Sequence, residues 1–107
     1  MDKNINNQRK SNRIQTNIKV VFFCEHFQYI GTAINCSESG MCIDTLKYIS
    51  PDRNIKIILP LHEEELTLTG MPKRTVKSDN LPDAIGVELL SPPPEYFNFI
   101  QNLQLSL

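Results

Sequence analysis

No apolar run in this 107-residue chain approaches the roughly 20 residues that a helix needs to cross a bilayer. The opening Met1–Gln8 is too polar to supply the apolar stretch of a secretory signal. Membrane insertion and export are therefore not expected, and the expected address is the cytoplasm. Cysteine is sparse. Cys24, Cys36 and Cys42 are odd in number and lack zinc-like spacing, which fits free thiols in a reducing compartment. His26 and His62 form no H-x-x-x-H pair and there is no C-x-x-C, so no metal site is expected. A surplus of positive charge is also missing. At a formal net charge of −1 the chain lacks the basic excess with which duplex-binding proteins neutralise phosphate, so neither DNA nor RNA is an expected partner. The sequence shows no nucleophile–base pairing, Gly-rich phosphate loop or paired-carboxylate arrangement, so it points neither to an enzyme nor to a cofactor. The acidic run His62–Glu65 reads as a solvated loop.

What is present is enough for one modest core. A hydrophobic share of 40% and a charged share of 21% are ordinary for a soluble globular chain, and the length leaves room for a single domain. Residues 1–8, rich in Asn and Lys, read as a flexible N-terminal arm, and residues 9–107 as the domain. From Ile18 the pattern alternates, with Ile18, Val20, Phe22 and Cys24 on one side of an extended segment and Lys19, Val21 and Phe23 on the other. Phe27–Asn35 is rich in aromatic and β-branched residues and predicts a second strand, bent or bulged at Gly31. In these strands Phe22, Phe23, Phe27 and Tyr29 read as core rather than as stacking platforms for bases. Asn35–Gly40 has turn chemistry before Met41 and Ile43, and Ser50–Pro51–Asp52 marks a second turn. Ile55, Ile57 and Leu59 alternate up to Pro60. Leu66–Gly70 alternates with threonine and continues into Met71–Ser78, where Pro72 suggests an edge or a bulge. Ala84–Leu90 closes the β set. After Pro92–Pro94, the residues Tyr96, Phe97, Ile100 and Leu103 fall at helical spacing. About six short strands and one terminal helix predict a mainly β chain, a six-stranded antiparallel barrel plugged or flanked by a C-terminal helix.

Charge is uneven along the chain. Lys3, Arg9, Lys10, Arg13 and Lys19 face one acid, Asp2, in the first nineteen residues, a local patch suited to a small anion. Within it Arg9 and Arg13 form an R-x-x-x-R spacing, and further on Asn35-Cys36-Ser37-Glu38-Ser39-Gly40 form N-x-S-x-x-G. Arginine can fork onto O6 and N7 of guanine, pair with phosphate oxygens and stack on a purine face. Asn35 offers a donor and an acceptor to a base edge, Ser37 can donate to phosphate, and Gly40 permits close backbone approach. Taken singly, the arginines read as solvated residues of an arm and the second motif as an ordinary hairpin turn.

In this order and separation the two motifs resemble the PilZ family, whose signature is R-x-x-x-R followed by [D/N]-x-S-x-x-G. The resemblance runs from Gln8 to about Leu103, with Ile85–Leu89 similar to the family's late G-V-x-F strand. Leu89 stands where the family often has Phe, and Ser39 where it often has Gly. The resemblance implies a receptor for cyclic di-GMP, with Arg9, Lys10, Arg13, Asn35, Ser37 and Gly40 as ligand-binding residues. It implies an arginine segment that orders over the barrel on binding, and an unidentified effector protein as partner to a monomer or homodimer. Two other readings compete: a PilZ-fold adaptor that works through protein contacts alone, and a small barrel for single-stranded nucleic acid.

Overall fold

The computed structural model describes residues 13–45, 53–78 and 81–106, with 74–78 and 81–83 described by backbone alone. The expected arm at 1–8, Arg9, Lys10 and the expected turn at Ser50–Pro51–Asp52 lie outside the described residues. Alternating apolar residues build β1 (Ile14–Cys24), β2 (Phe27–Cys36), β3 (Gly40–Asp44), β4 (Ile55–Pro60), β5 (Glu65–Ser78) and β6 (Leu81–Leu89), followed by helix α1 (Pro94–Leu105). Around the barrel the order is β1-β2-β3-β6-β5-β4, every neighbouring pair is antiparallel, and β4 returns to β1. Val21 opposite Ile58 and Phe22 opposite Ile57 make that closing seam, which leaves no open sheet edge between first and last strands. This is the six-stranded antiparallel barrel with a C-terminal helix that the sequence predicts.

Inward-facing residues fill the barrel. Val20, Phe22, Ala33, Met41, Ile43, Ile57, Leu59, Leu68, Ile85 and Val87 form one buried cluster. The helix adds Tyr96 and Ile100 to that cluster, with Phe99 and Leu103 packed at its margin. Positions 96, 99, 100 and 103 therefore form the buried stripe. Phe97, expected on it, is 41% exposed, because it lies roughly 100° around the helix from Tyr96. Pro93 is the N-cap, Pro94 opens the helix and Glu95 sits in its first turn, as proline's fixed φ and the macrodipole favour.

Two other expectations are corrected. Phe27 is 63% exposed at the start of β2, where it pairs with Cys24 at the end of the hairpin, beyond the core. Gly31 marks no bulge, since it lies in register with Val20. Its role is close packing: a Cβ there would lie 2.7 Å from Ile43 Cγ2 and 2.9 Å from the Asp44 carbonyl oxygen. The fixed carbonyl gives the added atom nowhere to go, so Gly31→Ala is expected to lower stability by about 1–3 kcal/mol in urea unfolding. Unchanged stability would contradict this packing.

Candidate ligand-binding site

A change of phase in β2 builds the site. Ala33 is buried opposite Ile43, so strict alternation would send Asn35 inward too. The register against β3 instead runs from Ala33–Ile43 directly to Asn35–Cys42, leaving Ile34 as an extra residue. After that bulge Cys36 is buried opposite Met41, and Asn35 stands toward the outside of the barrel. Strand β1 carries a matching irregularity between Gln15 and Ile18, where the Thr16 hydroxyl donates to the Ala33 carbonyl at 2.6 Å.

Beyond this irregularity Gln15 pairs with Asn35 and Ile14 with Cys36. The first strand thus begins at Ile14, four residues before the expected start at Ile18. The intervening Gln15, Thr16 and Asn17 hide the strand from a hydrophobicity pattern, yet Ile14 is buried in the core. Because Gln15 is directly opposite Asn35, Arg13 is a diagonal cross-strand neighbour of Asn35. Its Nη1 donates to Asn35 Oδ1 at 2.6 Å on the exposed surface. Residues 22 positions apart, one from each motif, are thereby joined.

The turn that follows is tied down from three sides. The Ser37 amide donates to the Gly40 carbonyl at 2.8 Å, and the Leu89 amide donates to the Ser39 carbonyl at 2.9 Å. The buried Tyr96 hydroxyl donates to the Ser37 carbonyl at 2.7 Å, linking the turn to α1. Asn35 belongs to the end of β2 rather than to the expected turn, which is Ser37–Ser39. Ser37 is buried, and its hydroxyl contacts the Gly40 carbonyl and the Ser39 amide at 3.4 Å each. Gly40 is also buried, and a Cβ there would lie 2.5 Å from the Val87 carbonyl oxygen. The close approach that requires this glycine is thus to strand β6.

Burial pushes the Cys36 thiol above its ordinary value of 9.0, offset in part by hydrogen bonding with Thr16 and Tyr96 and by the Arg13 charge. Burial likewise pushes the Tyr96 phenol above its ordinary 10.0, with Cys36 adding to the rise.

Arg13, Ser39, Gly40, Lys73, Gly86, Val87 and Glu88 line a recess of about 350 Å³. A volume of that order is at the lower end for small-molecule sites. It sits on the outer surface where Gly40 pairs with Glu88 and Cys42 with Gly86. A larger groove of about 750 Å³ lies between α1 and the β4–β5 loop, lined by residues that include His62, Glu63, Glu64, Glu95 and Phe99. It shares no residue with either motif, and its lining carries three glutamates without Lys or Arg, which disfavours an anion. Among the described residues no group of three or more His, Cys, Asp and Glu is placed to hold a metal ion.

The sequence model of the PilZ domain matches residues 7–104. The chain belongs to the PilZ domain family. Two solved structures share its fold. The Bacillus subtilis inhibitor of motility (MotI/DgrA) superposes with a TM-score of 0.79 at 12% identity, covering 94% of this chain and 51% of that one. This chain therefore spans about half the length of that protein. The PilZ domain of CeSA from a cellulose-synthesizing bacterium superposes with a TM-score of 0.63 at 21% identity, covering 87% of this chain and 95% of that one. No curated protein sequence matches.

Sequence reasoning missed three residues around the PilZ motifs. Tyr96 was legible only as one apolar position of a helical stripe, although a buried tyrosine needs a partner for its hydroxyl. Lys73 and Glu88 reach the recess through strand register that no local pattern encodes. The Tyr96 hydrogen bond carries its own consequence. Tyr96→Phe leaves the buried Ser37 carbonyl short of that donor and is expected to cost about 1–3 kcal/mol in urea unfolding. The raised Cys36 and Tyr96 values set the sign of a pH effect. Both groups ionise in the unfolded chain before they do in the folded one, so their stabilising contribution is complete below 9.0 and is lost progressively as pH rises above it. Unfolding midpoints from neutral pH to about pH 11 should therefore fall more gently in Tyr96→Phe than in the wild type, and equal slopes would contradict the assignment.

Proposed function

We propose that this PilZ domain is a cytoplasmic receptor for cyclic di-GMP that acts by binding, passing the signal to an effector protein without catalysis. The observation that carries the reading is the hydrogen bond from Arg13 to Asn35, because it joins the two motifs on one outward surface. Cyclic di-GMP offers two phosphates and two guanines. A guanidinium has five donors in a planar fork, so Arg13 keeps donors for a guanine edge or a phosphate while Asn35 holds one of its nitrogens. Asn35 has its amide left to address the base, and Gly40 supplies the open floor of the recess.

Arg9 is the second arginine of the motif and Lys10 a supplementary charge. In this reading both approach the dianion from the segment that precedes Arg13, which orders over the barrel as it binds. Ser37 takes a supporting role, with its hydroxyl inside the turn and its carbonyl held by Tyr96. That last contact gives ligand at the turn a direct link to α1, where an effector can sense it. One structural neighbour is named for inhibiting motility and the other is a domain of CeSA, so the fold alone does not dictate the output.

The burial of Ser37 favours a second reading, a PilZ-fold adaptor indifferent to nucleotide. Calorimetric titration separates the two. A receptor binds cyclic di-GMP saturably and, at about a hundredfold over Kd, gains roughly 2.7 kcal/mol of stability. Arg13→Ala is expected to weaken binding by about tenfold or more, the loss of a hydrogen-bonded charge of about 1.5–3 kcal/mol. No heat and no melting shift at high micromolar ligand would contradict the receptor and leave the adaptor.

A further inference from the structure

Two residues outside both motifs face the same recess as Arg13. Lys73 on β5 and Glu88 on β6 form an ion pair at 3.4 Å, and each side chain is about half exposed. Strand register explains their place. Glu88 lies opposite Gly40 on one side and Met71 on the other, so the neighbour toward Arg13 has no side chain to cover it. An exposed pair of this kind contributes little to stability and exchanges partners readily. The recess thus combines a guanidinium with a carboxylate and an ammonium, across a floor formed in part by Gly40 and Gly86.

These groups complement the two edges of one base. Guanine shows acceptors O6 and N7 on the edge that arginine reads, and donors N1–H and N2–H₂ on the edge beside it. An ionised carboxylate is acceptor-only, with two oxygens spaced for two such donors. Adenine has no N2 amine and carries an acceptor at N1, which opposes a carboxylate. We infer that Glu88 selects guanine over adenine by accepting from its N1–H and N2–H₂, and that Lys73, released from Glu88, takes a ligand phosphate. The inference rests on the receptor reading above and assigns that site its base specificity.

The test titrates wild type, Glu88→Gln and Lys73→Met with cyclic di-GMP and cyclic di-AMP. Circular dichroism melting of the half-exposed variants checks that they stay folded. Glu88→Gln is expected to weaken cyclic di-GMP on the order of ten- to a hundredfold, the worth of a bidentate base contact, while cyclic di-AMP binds no more weakly than before. Lys73→Met is expected to weaken both dinucleotides and to lower the salt dependence by about one phosphate contact. If wild type prefers cyclic di-GMP and Glu88→Gln keeps the same preference, the role of Glu88 is overturned while the receptor stands. Equal binding of both dinucleotides by wild type likewise overturns that role and spares the receptor. If wild type binds neither, the receptor reading and this inference fall together.

Discussion

One extra residue in a strand decides where this protein presents its chemistry. A closed barrel imposes strict alternation, and a polar side chain in phase with Ala33 would point into a core of Phe22, Ile43 and Ile85. Ile34 breaks the phase, which returns Cys36 to the interior and brings Asn35 to the exterior beside Arg13. Burying an unpaired amide costs several times what one exposed hydrogen bond contributes, so the bulge relieves the core as well as exposing the motif. Bulges are enriched next to functional sites for this reason, as they re-aim one side chain without disturbing the rest of the ladder.

The motif's small residues serve the barrel before they serve any ligand. Gly40 lets β3 approach the Val87 carbonyl, and Ser37 closes the turn with its amide and hydroxyl. Tyr96 then locks the turn to the helix through a fully buried hydrogen bond. Polar contacts in such a dry setting are costly to break, so this bond ties the turn to α1. Side chains that touch solvent at the site, Arg13, Asn35, Lys73 and Glu88, stand on or beside the barrel strands around this turn. The PilZ signature thus mixes side chains open to solvent with groups that hold the turn in place.

Much of the fold was readable from residues alone. Alternation in Ile18–Cys24, Ile55–Leu59 and Ala84–Leu89 marks three strands, and Pro94 and Glu95 mark the helix start, because those signals are local. The pairing of the two motifs was legible through family resemblance, not through any pattern within the chain. What escaped depends on register. The early start of β1 hides behind Gln15–Asn17, whose polarity suits a bulged segment hydrogen-bonded through Thr16. Gly31 looked like a bend because glycine weakens strands, whereas the constraint is the Asp44 carbonyl on the neighbouring strand. Lys73 and Glu88 meet across a strand pair, and no sequence window spans them.

Backbone amide chemical shifts, followed by nuclear magnetic resonance as cyclic di-GMP is added to the isotope-labelled chain, report most directly on the outward surface created at Ile34. The largest changes are expected at Arg13, Asn35, Ser39, Gly40 and Glu88, while Leu61, Glu63 and Glu64 along the acidic groove stay still. Changes concentrated in that groove, with Arg13 and Asn35 unmoved, would contradict a binding surface built on the bulge.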